Sequence, residues 1–268
     1  MLKEITIGQY IPGDSFIHKL DPRTKILISI LFIACLFLVD KFVGYTLILA
    51  YLAAIIIIAK IPLRFIFNGL KPIFLLVVLT AVLNIFMVKG TSDTLVFKAG
   101  IFSVYTEGLV IAGLMAIRLI LLIVGTSLLT LTTSPIELTD GIEILLRPIG
   151  KEIAHELAMM MTIALRFIPT LMDETDKIMK AQQARGADFE SGNIIQKAKN
   201  LIPLLVPLFI SSFRRADELA MAMEARCYRG GKGRTRMKQL SYAAIDYVAF
   251  LLILSLIAVG FYIRFALK

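Results

Sequence analysis

The stretch ILISILFIACLFLVDKFVGYTLILAYLAAIIIIA, residues 26 to 59, decides the fold class. Its only charges are Asp40 and Lys41, which split it into apolar runs at about 26–39 and 42–59. A helix rises 1.5 Å per residue and a bilayer core is about 30 Å thick, so a span needs about 20 apolar residues. The second run approaches that length. The first is short unless it extends back through Thr24. Working outward, further apolar runs follow at about 70–88, 107–131 and 242–265. The expectation is an all-α integral membrane protein with about five transmembrane helices.

Composition agrees. Of 268 residues, 58% are hydrophobic and only 18% charged, and the mean hydropathy is +0.82. That apolar share exceeds what a soluble domain carries. The net charge of +9 raises the question of nucleic acid. No DNA- or RNA-reading motif accompanies it, and basic residues in loops serve to hold those loops on the cytoplasmic side. Two cysteines, Cys35 in an apolar run and Cys227 in a basic segment, give no disulfide framework. The polar leader, residues 1–25, is followed by no small-residue cleavage site, so no cleavable signal peptide is expected.

Loop charge sets the expected orientation. Segment 60–71 carries Lys60, Arg64 and Lys71 without an acid, and segment 226–238 carries Arg226, Arg229, Lys232, Arg234, Arg236 and Lys238, again without one. These, the N-terminus and the middle of the chain are placed in the cytoplasm, and the C-terminus outside. Segment 89–105 alternates and contains glycine, which reads as a small external hairpin.

The expected organisation has three parts. Residues 1–133 form a leader and four spans, 134–241 a cytoplasmic or interfacial region of long helices, and 242–268 a C-terminal span. The middle region opens with a helix start: Ser134 as cap, Pro135 in the first turn and Glu137 at the third helical position. One long helix runs from Glu152 to about Ala184, with apolar residues near a 3.6 period, and another from about Ile194 to Arg226. Each is roughly 45–50 Å long. Pro169, Pro203 and Pro207 are expected to kink them.

Catalytic chemistry finds little support. RGGKGRT at 229–235 departs from a phosphate loop because Lys232 is followed by Gly233. The cluster Asp173, Glu174, Asp176 has no second acidic cluster in a span, as a metal-dependent membrane prenyltransferase would need, and reads as a solvated helix face. His18 and His155 are too few and too far apart for a metal centre. No catalytic residue, cofactor or metal is expected. Arg118, with Asn84 on another run, reads as interhelical hydrogen bonding or snorkelling, and Asp246 sits at the edge of the last span.

What stands out is a near-repeat. Ala184-Arg185-Gly186 and Ala225-Arg226-Cys227 each end a long helix. Arginine at a helix C-terminus complements the dipole, and glycine after it supplies a left-handed cap. Cysteine is not a natural residue for that cap. Two projecting guanidinium forks flanked by small residues suit two similar docking grooves.

The segments YIPGDSFIHKLDPRTK, LTTSPIELTDGIE, MMMTIALRFIPTLMDE, AQQARG and EARC resemble those of the T component of energy-coupling factor (ECF) transporters, over most of the chain. The resemblance implies a prokaryotic plasma-membrane scaffold joining two ABC-type ATPases to a small membrane substrate-binding protein, the S component, for uptake of vitamins and other micronutrients. It implies that Ala184, Arg185, Gly186 and Ala225, Arg226, Cys227 dock into the ATPases; Cys227 departs from the commoner glycine. The residues themselves carry no nucleotide site, so energy would come from partners. Met159, Met160, Met161, Ala164 and Leu165 form a soft apolar surface. With Leu204, Leu205, Val206, Leu208 and Phe209, they are the expected contacts to the S component. The alternative is an autonomous secondary transporter or channel, which would normally carry more polar groups at the membrane midplane.

Overall fold

The computed structural model describes residues 10–88, 95–99, 102–189, 193–231 and 239–266. Among these lie nine α-helices and one two-stranded antiparallel hairpin. The helices are α1 Pro22–Leu38, α2 Phe42–Ala59, α3 Leu63–Leu70, α4 Phe74–Met87, α5 Thr106–Thr132, α6 Pro135–Leu146, α7 Lys151–Ala184, α8 Ile194–Ala225 and α9 Ala244–Ala266. The strands β1 Leu95–Ala99 and β2 Phe102–Tyr105 fall in the segment expected to form a hairpin. Residue contacts divide the chain into two compact units. One comprises residues 8–141 and 239–268, and the other 142–238 together with 1–7, which lie outside the described residues.

Four helical stretches are long and apolar enough to cross a membrane: Phe42–Ala59, Leu63–Met87, Thr106–Thr132 and Ala244–Phe265. Of the five expected spans, the first is the exception. Asp21 caps α1 by accepting from the Arg23 amide, and Pro22 opens it, so the helix does extend back past Thr24. Its 17 residues still reach only about 25 Å, short of a full bilayer core. The third span begins earlier than the apolar run does. Segment 60–71 is mostly helix: α3 buries Ile66, and Pro72, which has no N–H for an α-helical bond, sits in a 3₁₀ turn over Lys71–Ile73 that leads into α4. Arg64 and Lys71 are therefore helical residues.

In the first unit α1, α2, α5 and α9 pack around Phe32, Leu36, Ile48, Leu52, Leu128, Leu131 and Ile253. One end of this core is closed by a knot of buried charges. Asp246, 1% exposed, accepts from the Ala243 amide at 2.8 Å and the Asp21 amide at 2.9 Å. Asp21 also pairs with Arg23 at 2.7 Å, and the guanidinium lies 4.1 Å from the Tyr242 ring centre. Lys25 donates to the carbonyls of His18 at 3.0 Å and Thr132 at 2.9 Å. Each buried charge thus has a partner, without which burial would cost several kcal/mol. Asp246, which sequence position makes look marginal, joins the starts of α1 and α9.

Arg118 makes the interhelical hydrogen bonds expected of it. It donates to the Tyr45 hydroxyl at 2.7 Å, the Val39 carbonyl at 3.0 Å and Asp40 at 3.3 Å. Asn84 donates to the Thr80 carbonyl one turn back. At α6, Ser134 Oγ accepts from the Glu137 amide and Glu137 accepts from the Ser134 amide, the reciprocal capping box expected from Ser-Pro-x-Glu.

Candidate functional site

In the unit 142–238, α7 and α8 carry the two Ala-Arg-small sequences. Both helices run unbroken through their prolines, Pro169 in α7 and Pro203 and Pro207 in α8. Each proline leaves the carbonyl four residues earlier without its helical donor. At Pro207 that carbonyl is Pro203 O, and the Gln182 side chain of α7 donates to it at 3.3 Å. The proline therefore creates the acceptor that ties the two helices together.

Further ties define the register. Glu174 of α7 accepts from the Ser211 hydroxyl and, at 2.9 Å, from Arg215, both on α8. These partners hold the Glu174 carboxyl below the usual carboxylate range, the serine bond first and the arginine second. Asn200 donates to the Asp188 carbonyl at 2.5 Å. Beyond α8, Gly231 lies so close to the His155 ring of α7 that a β-carbon would come within 2.6 Å of it. As position along α7 rises from 155 to 174 to 182, its partner falls from 231 to 211 to 203. The helices are antiparallel, and the tip of each lies near the start of the other. Thirty residues of helix from the level of His155 to Arg185 correspond to about 45 Å. The two tips lie at opposite ends of the helix pair.

The tips share a backbone. At α7, the Gly186 amide donates to Gln183 O at 2.9 Å and the Ala187 amide to Gln182 O at 2.9 Å. At α8, the Cys227 amide donates to Glu224 O at 2.8 Å and the Tyr228 amide to Met223 O at 3.0 Å. This pair of bonds is the Schellman motif. Its left-handed position has φ +87° at Gly186 and +56° at Cys227. The sequence makes Cys227 an unnatural cap, yet the structure puts it there. A residue with a β-carbon in this region is strained by about 1–2 kcal/mol. Arg185 and Arg226 occupy the preceding position with φ of −89° and −91°. All six residues, Ala184, Arg185, Gly186, Ala225, Arg226 and Cys227, are exposed.

The apolar residues sort by face. Leu204 is 6% exposed and Leu208 half-buried; they share a helix side with Asn200, Ser211 and Arg215. The opposite side presents Ile202, Leu205, Val206, Phe209, Ile210 and Phe213, each between 45% and 67% exposed, at the 3–4 spacing of one helix stripe. Phe209 and Phe213 stack with ring centres 6.3 Å apart. Leu204 is thus covered within the helix pair, while Ile202, Ile210 and Phe213 lie exposed beside Leu205, Val206 and Phe209. On α7, Met160 and Ala164 are exposed while Met159, Met161 and Leu165 are half-buried. Ile153, Leu157 and Ile168 extend the exposed stripe.

Three of the residues weighed for metal binding have other engagements. Glu174 is the α7–α8 tie, His18 bonds Ser15 and the Ile11 carbonyl, and His155 Nδ1 lies 3.5 Å from Glu143. Residues 232–235 of the glycine-rich basic segment lie outside the described residues.

A family model described as cobalt transport protein, CbiQ, matches residues 13–237. The chain is 67% identical to the energy-coupling factor transporter transmembrane protein EcfT of Clostridium kluyveri over 97% of each protein. It is 60% identical to the protein of the same name from Thermosediminibacter oceani, again over 97% of each. It is 47% identical to that of Bacillus subtilis over 98% of this chain and 100% of the relative.

Proposed function

The chain belongs to the CbiQ family, with the energy-coupling factor transporter transmembrane proteins, and from that premise we propose that it is the coupling scaffold of an ATP-driven importer. Arg185 and Arg226 each enter a groove on one of two ABC-type ATPase subunits, which hydrolyse ATP; this chain catalyses nothing itself. The N-terminus and the α7–α8 pair lie on the cytoplasmic side of a prokaryotic plasma membrane, and the exposed α8 stripe holds the S component.

The observation that carries this reading is the matched pair of tips at opposite ends of one antiparallel helix pair. Two like grooves about 45 Å apart are what two related subunits offer and one small groove does not. ATP binding draws the ATPases together, and the tips move with the grooves. The ties at Glu174 and Gln182 make α7 and α8 move together. The stripe from Ile202 to Phe213 shifts with them, and the S component reorients and releases a vitamin or another micronutrient inside.

The test is a mild-detergent pull-down combined with uptake in vesicles. The wild-type chain is expected to retain two ATPase subunits and a small hydrophobic protein. The doubly substituted chain Arg185→Glu, Arg226→Glu is expected to lose the ATPases and all ATP-dependent uptake. Full uptake by that variant refutes the scheme, and solute flux through the purified chain alone would replace it with an autonomous transporter.

A further inference from the structure

Within the unit of residues 8–141 and 239–268, a cavity of about 220 Å³ lies among the leader, α1, α2, α5 and α9. It is larger than the apolar cavity of about 150 Å³ that stays dry and takes up benzene in an engineered protein. Its wall offers water little. The Ser29 hydroxyl donates to Lys25 O at 2.8 Å and the Thr132 hydroxyl to Leu128 O at 2.7 Å. The Lys25 ammonium spends two of its three donors on backbone carbonyls. A buried water needs two to four polar partners, and apart from the Tyr51 hydroxyl the remaining side-chain lining is hydrocarbon.

The mouth decides what enters. Ile58 of α2 and Val248 and Leu252 of α9 line the cavity and are each about half exposed. Both helices have membrane-crossing length and apolarity. In a bilayer the medium outside such a surface is lipid hydrocarbon, with no water to compete. An apolar cavity continuous with that medium fills from it.

We propose that this cavity is a lipid site holding an acyl chain of a membrane phospholipid. The chain lies against Tyr51, Phe32 and Ala249, and the third N–H of Lys25 faces the ester or phosphate oxygens of the same lipid. Phe16 and Leu20 of the leader also line the cavity. The lipid therefore fastens the leader onto the bundle beside the buried knot of Asp21, Arg23 and Asp246.

The sequence contains no tryptophan, so Tyr51→Trp places a single reporter in the cavity wall with one aromatic ring exchanged for another. The full chain carrying it is reconstituted in phosphatidylcholine vesicles, plain or brominated on the acyl chains. The expected result is quenching of the introduced indole by the brominated lipid and none by acrylamide. Filling the cavity with Ala249→Phe, or more gently with Ala249→Leu, is expected to remove the lipid quenching. Native mass spectrometry of the unlabelled full chain reads the same event as a retained phospholipid, lost in Ala249→Phe. Equal lipid quenching in open and filled variants overturns the proposal, because the indole then meets the bilayer without the cavity. Quenching by acrylamide overturns it in favour of water. Absence of quenching in the open variant overturns it in favour of an empty or protein-filled cavity.

Discussion

The tip of α7 and the tip of α8 present the same hydrogen-bonded turn on different residues. Gly186 adopts the left-handed position with no β-carbon to strain, and nothing lies within 4 Å of where one would be. Cys227 adopts it against its own sterics. The chain also leaves the tips differently. Past Cys227 it returns to α7, where Gly231 touches His155; past Gly186 it leads into α8, with Asn200 holding Asp188. The difference teaches that tertiary demand, here two matching ends, overrides a local preference worth about 1 kcal/mol.

If the tips are equivalent, charge reversal at either should cost the same. Arginine anchors at interface centres commonly contribute about 2 kcal/mol or more. Arg185→Glu and Arg226→Glu are each expected to weaken ATPase association more than about tenfold, read by co-purification and uptake. A strong loss at one and none at the other breaks the comparison at its root.

Gly231→Ala comes next. Its β-carbon would sit 2.6 Å from the His155 ring, and overpacking of this kind costs about 1–3 kcal/mol. The thermal midpoint of the solubilised protein should fall, and His155→Ala in the same chain should restore part of it. No fall would show that the α8 tip is not held against α7. The glycine–cysteine difference is a smaller effect of two signs. Gly186→Ala should destabilise the α7 tip by about 1 kcal/mol, and Cys227→Gly should stabilise the α8 tip by about as much. Stabilisation by Cys227→Gly with unchanged ATPase binding would show that strain there is tolerated, not used.

Much of this is legible in the sequence. The apolar runs marked the spans, and Ser134 with Glu137 marked the α6 cap. The helix-ending arginines were visible because their spacing from the apolar period is local. What was not legible depends on long-range geometry. Residues 201–210 are apolar nearly all round, so nothing local says that Leu204 turns inward and Ile202 and Ile210 outward; α7 makes that choice through Ser211 and Arg215. Asp246 looked marginal because its partner, Asp21, lies 225 positions away in sequence. Segment 60–71 reads as a loop because its three basic residues mask the short amphipathic helix α3.

The smallest expected effect concerns what joins the tips. Glu174 lies between their levels, and its carboxyl is held below its ordinary range by Ser211 and then Arg215. A depressed folded-state value contributes stability above the unfolded value, about pH 4.3, and loses it as pH falls through the folded one. The loss therefore belongs below about pH 4 and should not appear near neutrality. The side chains of Arg215 and Glu174 are 37% and 21% exposed, so screening keeps the contribution under about 1 kcal/mol. Glu174→Gln should flatten the acid limb of a plot of thermal midpoint against pH, with little change at pH 7. The same variant sharpens the comparison of tips. If α7 and α8 work as one rod, loosening the tie should weaken ATPase binding at both ends alike, measured with Arg185→Glu or Arg226→Glu as background. Weakening at one end alone would mean that the tips, though built alike, act separately.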